Sequence, residues 1–231
     1  MLVLTGLLLL AQPDFGSAAV IAVTVAAMLV LSGMRWSLSI VGVFLLGAAA
    51  TALIVVAPYR LERVTSFLNP WDDPQGSGYQ LTHSLIALGR GEWLGVGLGA
   101  SVQKLHFLPH PDNDFIAAII GEELGVVGLT SLMVLFGLLA WRGFAIAQRA
   151  IRQQKLFHAG LVQGLVVMLT MQAMIHIGVN LGALPTKGLT LPLVSNGGTS
   201  LVVTGLMVGL ILRADRELKM DVPGKGRKGQ S

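Results

Sequence analysis

Apolar residues in this chain come in long unbroken stretches, not in the alternation of a strand or the single stripe of a soluble helix. Five such stretches run from Ser17 to Met34, Ser37 to Ala57, Phe115 to Trp141, Ala159 to Ala183 and Thr199 to Leu212. A membrane-crossing helix needs about 20 apolar residues, so each reads as a complete span. The last is short unless Leu191 to Val194 or a tilt extends it. Leu2 to Ala11 is apolar too, but too short for a span, and no basic segment precedes it as in a signal peptide. The chain is therefore expected to begin part-way through a transmembrane helix, as an N-terminally truncated chain would. Gly and Ala recur inside the spans, which suits close helix packing where lipid gives no hydrophobic drive. The expected fold class is all-α, a polytopic membrane helix bundle of five complete spans plus a partial N-terminal one.

Composition agrees. Of 231 residues, 53% are hydrophobic and 12% charged, half the charge of a soluble domain, where about a quarter of residues are charged. There is no cysteine, which excludes disulfides, thiolate metal sites and cysteine nucleophiles. The formal charge of +4 is not a nucleic-acid signal, because the charges lie in loops and in the tail. Arg142, Arg149, Arg152 and Lys155 fill the connection between the third and fourth complete spans. The tail after Leu212 holds six Lys and Arg residues against Asp215, Glu217 and Asp221. By the positive-inside rule both segments, and the Arg35–Trp36 turn, are cytoplasmic. A membrane region over 1–217 is thus followed by a basic cytoplasmic tail, 218–231.

The long segment 58–114 is then outside. Tyr79 to Leu88 has apolar spacing suited to a short amphipathic helix on the membrane face, and Gly89 to Gly99 (GRGEWLGVGLG) follows with five glycines. A second outside segment, Leu184 to Gly198 (LPTKGLTLPLVSNGG), is broken by Pro185 and Pro192. Such backbone at membrane depth is tolerated only inside protein or along a watery cavity. These two segments and the Gln12-Pro13-Asp14 turn converge on one face, where a site is to be sought.

The runs YQLTHSLIALGRGEWLGVGLGASVQKLHFLP, DFIAAIIGEELGVVG and NLGALPTKGLTLPLVSNGGTS resemble the SEDS family (shape, elongation, division and sporulation), whose members polymerise peptidoglycan from lipid II. The LPTKGLTLP wording is similar to the cell-division, FtsW-like branch. The resemblance implies a ten-span fold of which this chain supplies the second half of the fifth span and all of the sixth to tenth. It implies the bacterial inner membrane at the division septum, with lipid II as substrate. It also implies a single-pass class B penicillin-binding transpeptidase and other division-septum proteins as partners. It admits a divalent cation, Mg or Mn, on the pyrophosphate. Nothing else points to a cofactor, and the five histidines share no metal-ligand spacing.

Several residues could carry chemistry. Asp112, Asn113 and Asp114 precede the Phe115 span in a helix-start signature, and from the residues alone any one of them reads more readily as a cap. The resemblance matches Asp114 to the family's catalytic Asp, a general base, and leaves Asp112 as the cap. The family's usual Ala-His-Thr-Asp-Phe is Pro-Asp-Asn-Asp-Phe here, which moves a histidine to His110. Glu122 returns towards the Asp114 face of the helix while Glu123 points away. Glu122 is read as an electrostatic member of the cavity or as a structural pairing with another helix. Lys187, and more weakly Lys104, match positions suited to a pyrophosphate. Asn180 and Ser195 are expected to line the cavity or to bond between helices. The resemblance makes the chain an inverting glycosyltransferase; the rival readings are a lipid II transporter and a non-catalytic scaffold.

Overall fold

The computed structural model describes residues 15–35, 37, 38, 40–42, 44, 66–105, 107, 108, 112–186 and 188–220. Its principal helices are α1 (Phe15–Leu31), α2 (Tyr79–Gly91), α3 (Ile116–Arg152), α4 (Leu156–Asn180) and α5 (Gly198–Met220). No strand occurs among the described residues. Helices α3, α4 and α5 are long and apolar enough to cross a membrane, with best-window mean hydropathies of 2.1, 1.6 and 1.4. The expected Ser17–Met34 span is α1, apolar but only 17 residues long. The Ser37–Ala57 span and the Leu2–Ala11 half-span lie wholly or largely outside the described residues, as does the Gln12-Pro13-Asp14 turn.

Helix α4 is the hub, packed against α1, α2, α3 and α5. In its most apolar window 44% is buried, against 17% for α3 and 22% for α5, so the described residues leave much of the surface of α3 and α5 uncovered. One apolar core joins Ile146, Ala147 and Ala150 of α3 to Val162, Val166 and Leu169 of α4 and to Ile211, Ala214 and Leu218 of α5. A second joins Ala117, Leu129 and Phe136 to Ala173, Ile177 and Leu191. Hydroxyls in the spans satisfy themselves locally: Thr130, Ser131, Thr170 and Thr204 each donate to the carbonyl four residues back, as a lipid surround requires.

Two helix ends differ from expectation for one reason. Both α3 and α5 run on past their apolar stretches, to Arg152 and Met220, because Ile146, Ala147, Ala150, Ala214 and Leu218 continue the core there. The expected Arg142–Lys155 connection is therefore mostly helix, with its turn at Gln153–Lys155. Arg149 pairs with Asp215 at 2.7 Å and His158 with Glu217 at 2.8 Å. These contacts place the basic connection and the end of α5 on the same side of the bundle, as the charge count requires.

On the opposite side α3 is broken. Gly125 has φ 66° and ψ −164°, a backbone region open essentially to glycine alone. The break removes the helical bonds that Val126 and Val127 would make to the Glu122 and Glu123 carbonyls. Instead Val126 N–H donates to Glu92 O (3.0 Å) and Val127 N–H to Trp93 O (3.2 Å). The vacated Glu122 and Glu123 carbonyls accept from Val96 N–H (3.0 Å) and Gly97 N–H (3.1 Å). The glycine-rich loop after α2 is thus spliced into the helix, and every orphaned group regains a partner. Gly95, at φ 81°, has no room for a Cβ against the Glu123 carbonyl.

An alanine at position 125 would put its Cβ 2.5 Å from Trp93 O and Gly95 N. Gly125→Ala is expected to lower stability by at least the cost of a strained backbone, about 1–3 kcal/mol, read as a fall in thermal unfolding midpoint. Gly137→Ala, in the same helix with nothing within 4 Å of the new Cβ, should instead be neutral or stabilising by about 0.5–1 kcal/mol. Equal effects would show that the break is not needed.

Candidate functional site

Asp114 lies in the turn that feeds α3, and three consecutive carbonyls of that turn are held from the far end of the sequence. Asn196 N–H donates to Asp112 O at 3.0 Å, Ser195 Oγ to Asn113 O at 2.8 Å and Asn180 Nδ2 to Asp114 O at 3.2 Å. Asn180 Oδ1 also accepts from Ala118 N–H at 3.1 Å. This is the third helical position of α3, where an N-cap side chain normally bonds. Phe115, the N-cap, makes no side-chain cap bond. The capping expected of Asp112 is therefore corrected: Asp112 is exposed, and the capping oxygen comes from Asn180 at the end of α4.

Asn180 and Ser195, expected to line a cavity, are each only 1% exposed. Ser195 Oγ also accepts from Leu191 N–H at 2.7 Å, which closes the turn of the Pro-rich segment. Asn180 belongs to a polar stripe on α4 that sequence reasoning missed. Gln172, His176 and Asn180 recur every four residues, hence on one face of the helix. Gln172 Nε2 donates to Thr190 O at 2.9 Å, and His176 Nδ1 lies 2.5 Å from Leu189 O. Nδ1 must be the protonated nitrogen of His176 to bond a carbonyl, and its Nε2 is buried without a partner. The spacing of three hydrogen-bonding side chains inside an apolar span was the available signal.

These bonds press the segment 188–197 against the Asp114 turn. A Cβ built on Gly188 would stand 3.2 Å from Asp114 Oδ2, so the carboxylate faces the backbone of the broken segment. Asp114 is half-buried and Gly188 exposed. Lys187 and His110 lie outside the described residues.

Glu122 and Glu123, on neighbouring positions of α3, take different partners from the 101–104 loop. Glu122 is fully buried and accepts from Ser101 Oγ, from Val102 N–H at 3.2 Å and from Gln103 N–H at 3.3 Å. Arg90 at the end of α2 stands 3.6 Å from it. A buried carboxylate needs such partners, and here they anchor the 101–103 loop to α3. Glu123, expected to point away, takes the Lys104 ammonium at 2.7 Å. Among the described residues no cluster of three or more His, Asp or Glu side chains could hold a metal ion.

The comparisons with known proteins agree on one family. The FtsW/RodA/SpoVE family model, described as a cell cycle protein, matches residues 1–220. A probable peptidoglycan glycosyltransferase FtsW of Alkalilimnicola ehrlichii is 50% identical over 218 residues, covering 94% of this chain and 54% of the relative. One of Methylococcus capsulatus is 49% identical over 229 residues, covering 99% and 58%. One of Thioalkalivibrio sulfidiphilus is 51% identical over 220 residues, covering 94% and 55%. The chain thus spans somewhat over half the length of these relatives. A solved structure described as "Structural coordination of polymerization and crosslinking by a peptidoglycan synthase complex" superposes with a TM-score of 0.72 at 32% identity, covering 93% of this chain and 59% of that one. With the family model matching nearly the whole sequence, the chain belongs to the FtsW/RodA/SpoVE family of cell cycle proteins.

Proposed function

We propose that this chain carries the catalytic half of a peptidoglycan glycosyltransferase that polymerises lipid II at the division septum, with Asp114 as general base. The observation that carries the reading is the placement of the Asp114 carboxylate against Gly188, in a turn whose three carbonyls are held by Asn180, Ser195 and Asn196. The names of the relatives and of the synthase complex support it.

In the proposed reaction the C4 hydroxyl of the lipid II GlcNAc attacks C1 of the MurNAc that ends the growing strand. The Asp114 carboxylate takes the hydroxyl proton as the C4 oxygen–C1 bond forms. The C1–oxygen bond to undecaprenyl pyrophosphate breaks, and the pyrophosphate leaves as an anion. No general acid is needed, so the second carboxylate of a glycosidase pair is dispensable. Inversion at C1 gives a β-1,4 link. Lys187, next to Gly188 in sequence, is assigned to the pyrophosphate as a cationic partner. Lys104 and Glu122 are assigned to hold the 101–104 loop on α3 beside the site. Asn180 and Ser195 are positioning residues that act through the Asp114 turn.

The same reading gives the whole protein ten spans, of which this chain holds the sixth to tenth and part of the fifth. It lies in the bacterial inner membrane with 58–114 outside and the C-terminus cytoplasmic. Its partner is a single-pass class B penicillin-binding transpeptidase, in line with the polymerisation and crosslinking named for the structural neighbour.

The test is glycan-strand synthesis from lipid II by the purified protein with its transpeptidase. Asp114→Asn, at equal protein level, should lose about 10²–10⁴-fold in rate, the usual contribution of a general base. Polymer made at the unaltered rate would remove Asp114 from this role, and lipid II crossing vesicles without polymer would replace the enzyme with a transporter. Asn180→Ala is expected to cut kcat by up to about 100-fold, the cost of a small misplacement, with KM for lipid II unchanged. A raised KM at constant kcat would make Asn180 a substrate ligand instead.

A further inference from the structure

The loop spliced into the α3 break leaves its apolar side chains uncovered. Trp93 is 73% exposed, and Leu94 and Leu98 are each 79% exposed. In water such a cluster on one short loop would be a liability. Its depth relative to the membrane is fixed by its own hydrogen bonds. The carbonyls of Glu92 and Trp93 and the N–H groups of Val96 and Gly97 pair with backbone groups between Glu122 and Val127. A hydrogen bond spans about 3 Å, so this loop cannot sit at any other level.

That level follows from α3. Its apolar run ends at Arg142, the first cation on the basic side. From Arg142 back to Val127 and Glu122 is roughly 22 to 30 Å of helix at about 1.5 Å per residue, against a hydrocarbon core about 30 Å thick. The loop therefore lies at the far rim of the hydrocarbon. Beside it, Leu124, Val126 and Val127 of α3 are also exposed and begin the lipid-facing side of the span. Arg90 and Glu92, both exposed, adjoin the apolar residues in sequence. A cavity of about 380 Å³ is lined by residues 90–96, the two charged residues and the Trp93–Leu94 pair among them. Tryptophan with flanking charges at a hydrocarbon rim is the composition of a membrane interface.

We infer that Trp93–Leu98 is an interfacial anchor, inserted among the acyl chains of the leaflet opposite the Arg142–Lys155 connection. The anchor and the spliced hydrogen bonds hold the loop and the segment that leads from Gly125 back to Asp114 at one level. This inference stands on the hydrogen-bond ladder and does not depend on the catalytic role of Asp114.

The chain has no cysteine, so single cysteines can carry a nitroxide in the protein reconstituted in phospholipid vesicles. Labels at Leu94→Cys and Leu98→Cys should collide with oxygen several-fold more, relative to an aqueous nickel complex, than a label at Asp72→Cys on the exposed 71–77 turn. A ratio equal to that at position 72 would put the loop in water and overturn the anchor. Low access to both reagents would overturn it too, because the loop would then be covered by protein. A second measurement leaves the loop unaltered. With Trp36→Phe, Trp71→Phe and Trp141→Phe in place, Trp93 fluorescence should be quenched by lipids brominated near the glycerol end of the acyl chain. Quenching by aqueous iodide alone would refute the insertion.

Discussion

The arrangement around the candidate site depends on one side-chain amide, that of Asn180. Its oxygen takes the Ala118 N–H and its nitrogen donates to the Asp114 and His176 carbonyls, while its own backbone carbonyl accepts from Ser84 Oγ at 2.8 Å. Four elements meet at this residue: α2 through Ser84, the Asp114 turn, the first turn of α3 and the end of α4. Partners of opposite polarity also fix which way the amide faces. Each bond alone contributes about 1 kcal/mol net, but a buried N–H or carbonyl left without a partner costs about 1–3 kcal/mol. The amide is therefore worth more for what it prevents than for what it adds.

A second substitution of partners works at the other end of the same segment. Between the Asn180 cap and the Gly125 break lies a short piece of α3, Ile116–Leu124, detached in hydrogen-bonding terms from the rest of the helix. Its N-terminus is completed by α4 and its C-terminus by the loop after α2. Glu122 within it draws the 101–103 loop onto its side. This piece is held by three separate parts of the chain, and Asp114 stands at its start. Breaking one long helix into an apolar span and a half-helix held by other segments lets backbone leave the helical path at membrane depth with its polar groups paired.

The spans that carry most of the bundle were legible in the sequence because apolar length is a one-dimensional signal. So was the shared side of Arg149 and Asp215, because charge asymmetry between loops needs no contacts to be read. Helix ends were less legible. The apolar runs stop at Trp141 and Leu212, yet α3 and α5 continue, held by small residues such as Ala147 and Ala214 whose burial depends on what packs across from them. Asp114, Asn180 and Ser195 were all picked out from the sequence, and the fold brings them together. Their division of labour was not legible. Whether Asn180 faces a cavity or the backbone of residues 114 and 118 depends on pairings 62 to 66 residues apart, which no local pattern encodes. The Gly125 break was hidden for the same reason: a glycine in an apolar helix reads as ordinary packing until a second backbone is found against it.

The polar stripe on α4 shows what kind of precision this site has. Gln172, His176 and Asn180 each donate a hydrogen bond to a backbone carbonyl of another segment, at Thr190, Leu189 and Asp114. An amide or a neutral imidazole can donate to a carbonyl; a carboxylate at the same positions would set its charge against those oxygens. Donors of this kind fix where a backbone lies without setting the charge of any side chain it carries. On the proposed reading that separation matters, because a general base must be held in register with a sugar hydroxyl while its carboxylate gains and loses a proton. Clamping Asp114 through the carbonyls of its turn meets the first requirement and leaves the second to what surrounds the carboxylate, where Gly188 presents backbone and no side chain. A larger residue at 188 would press on the carboxylate directly, which gives a physical reason for glycine at that point of the broken segment.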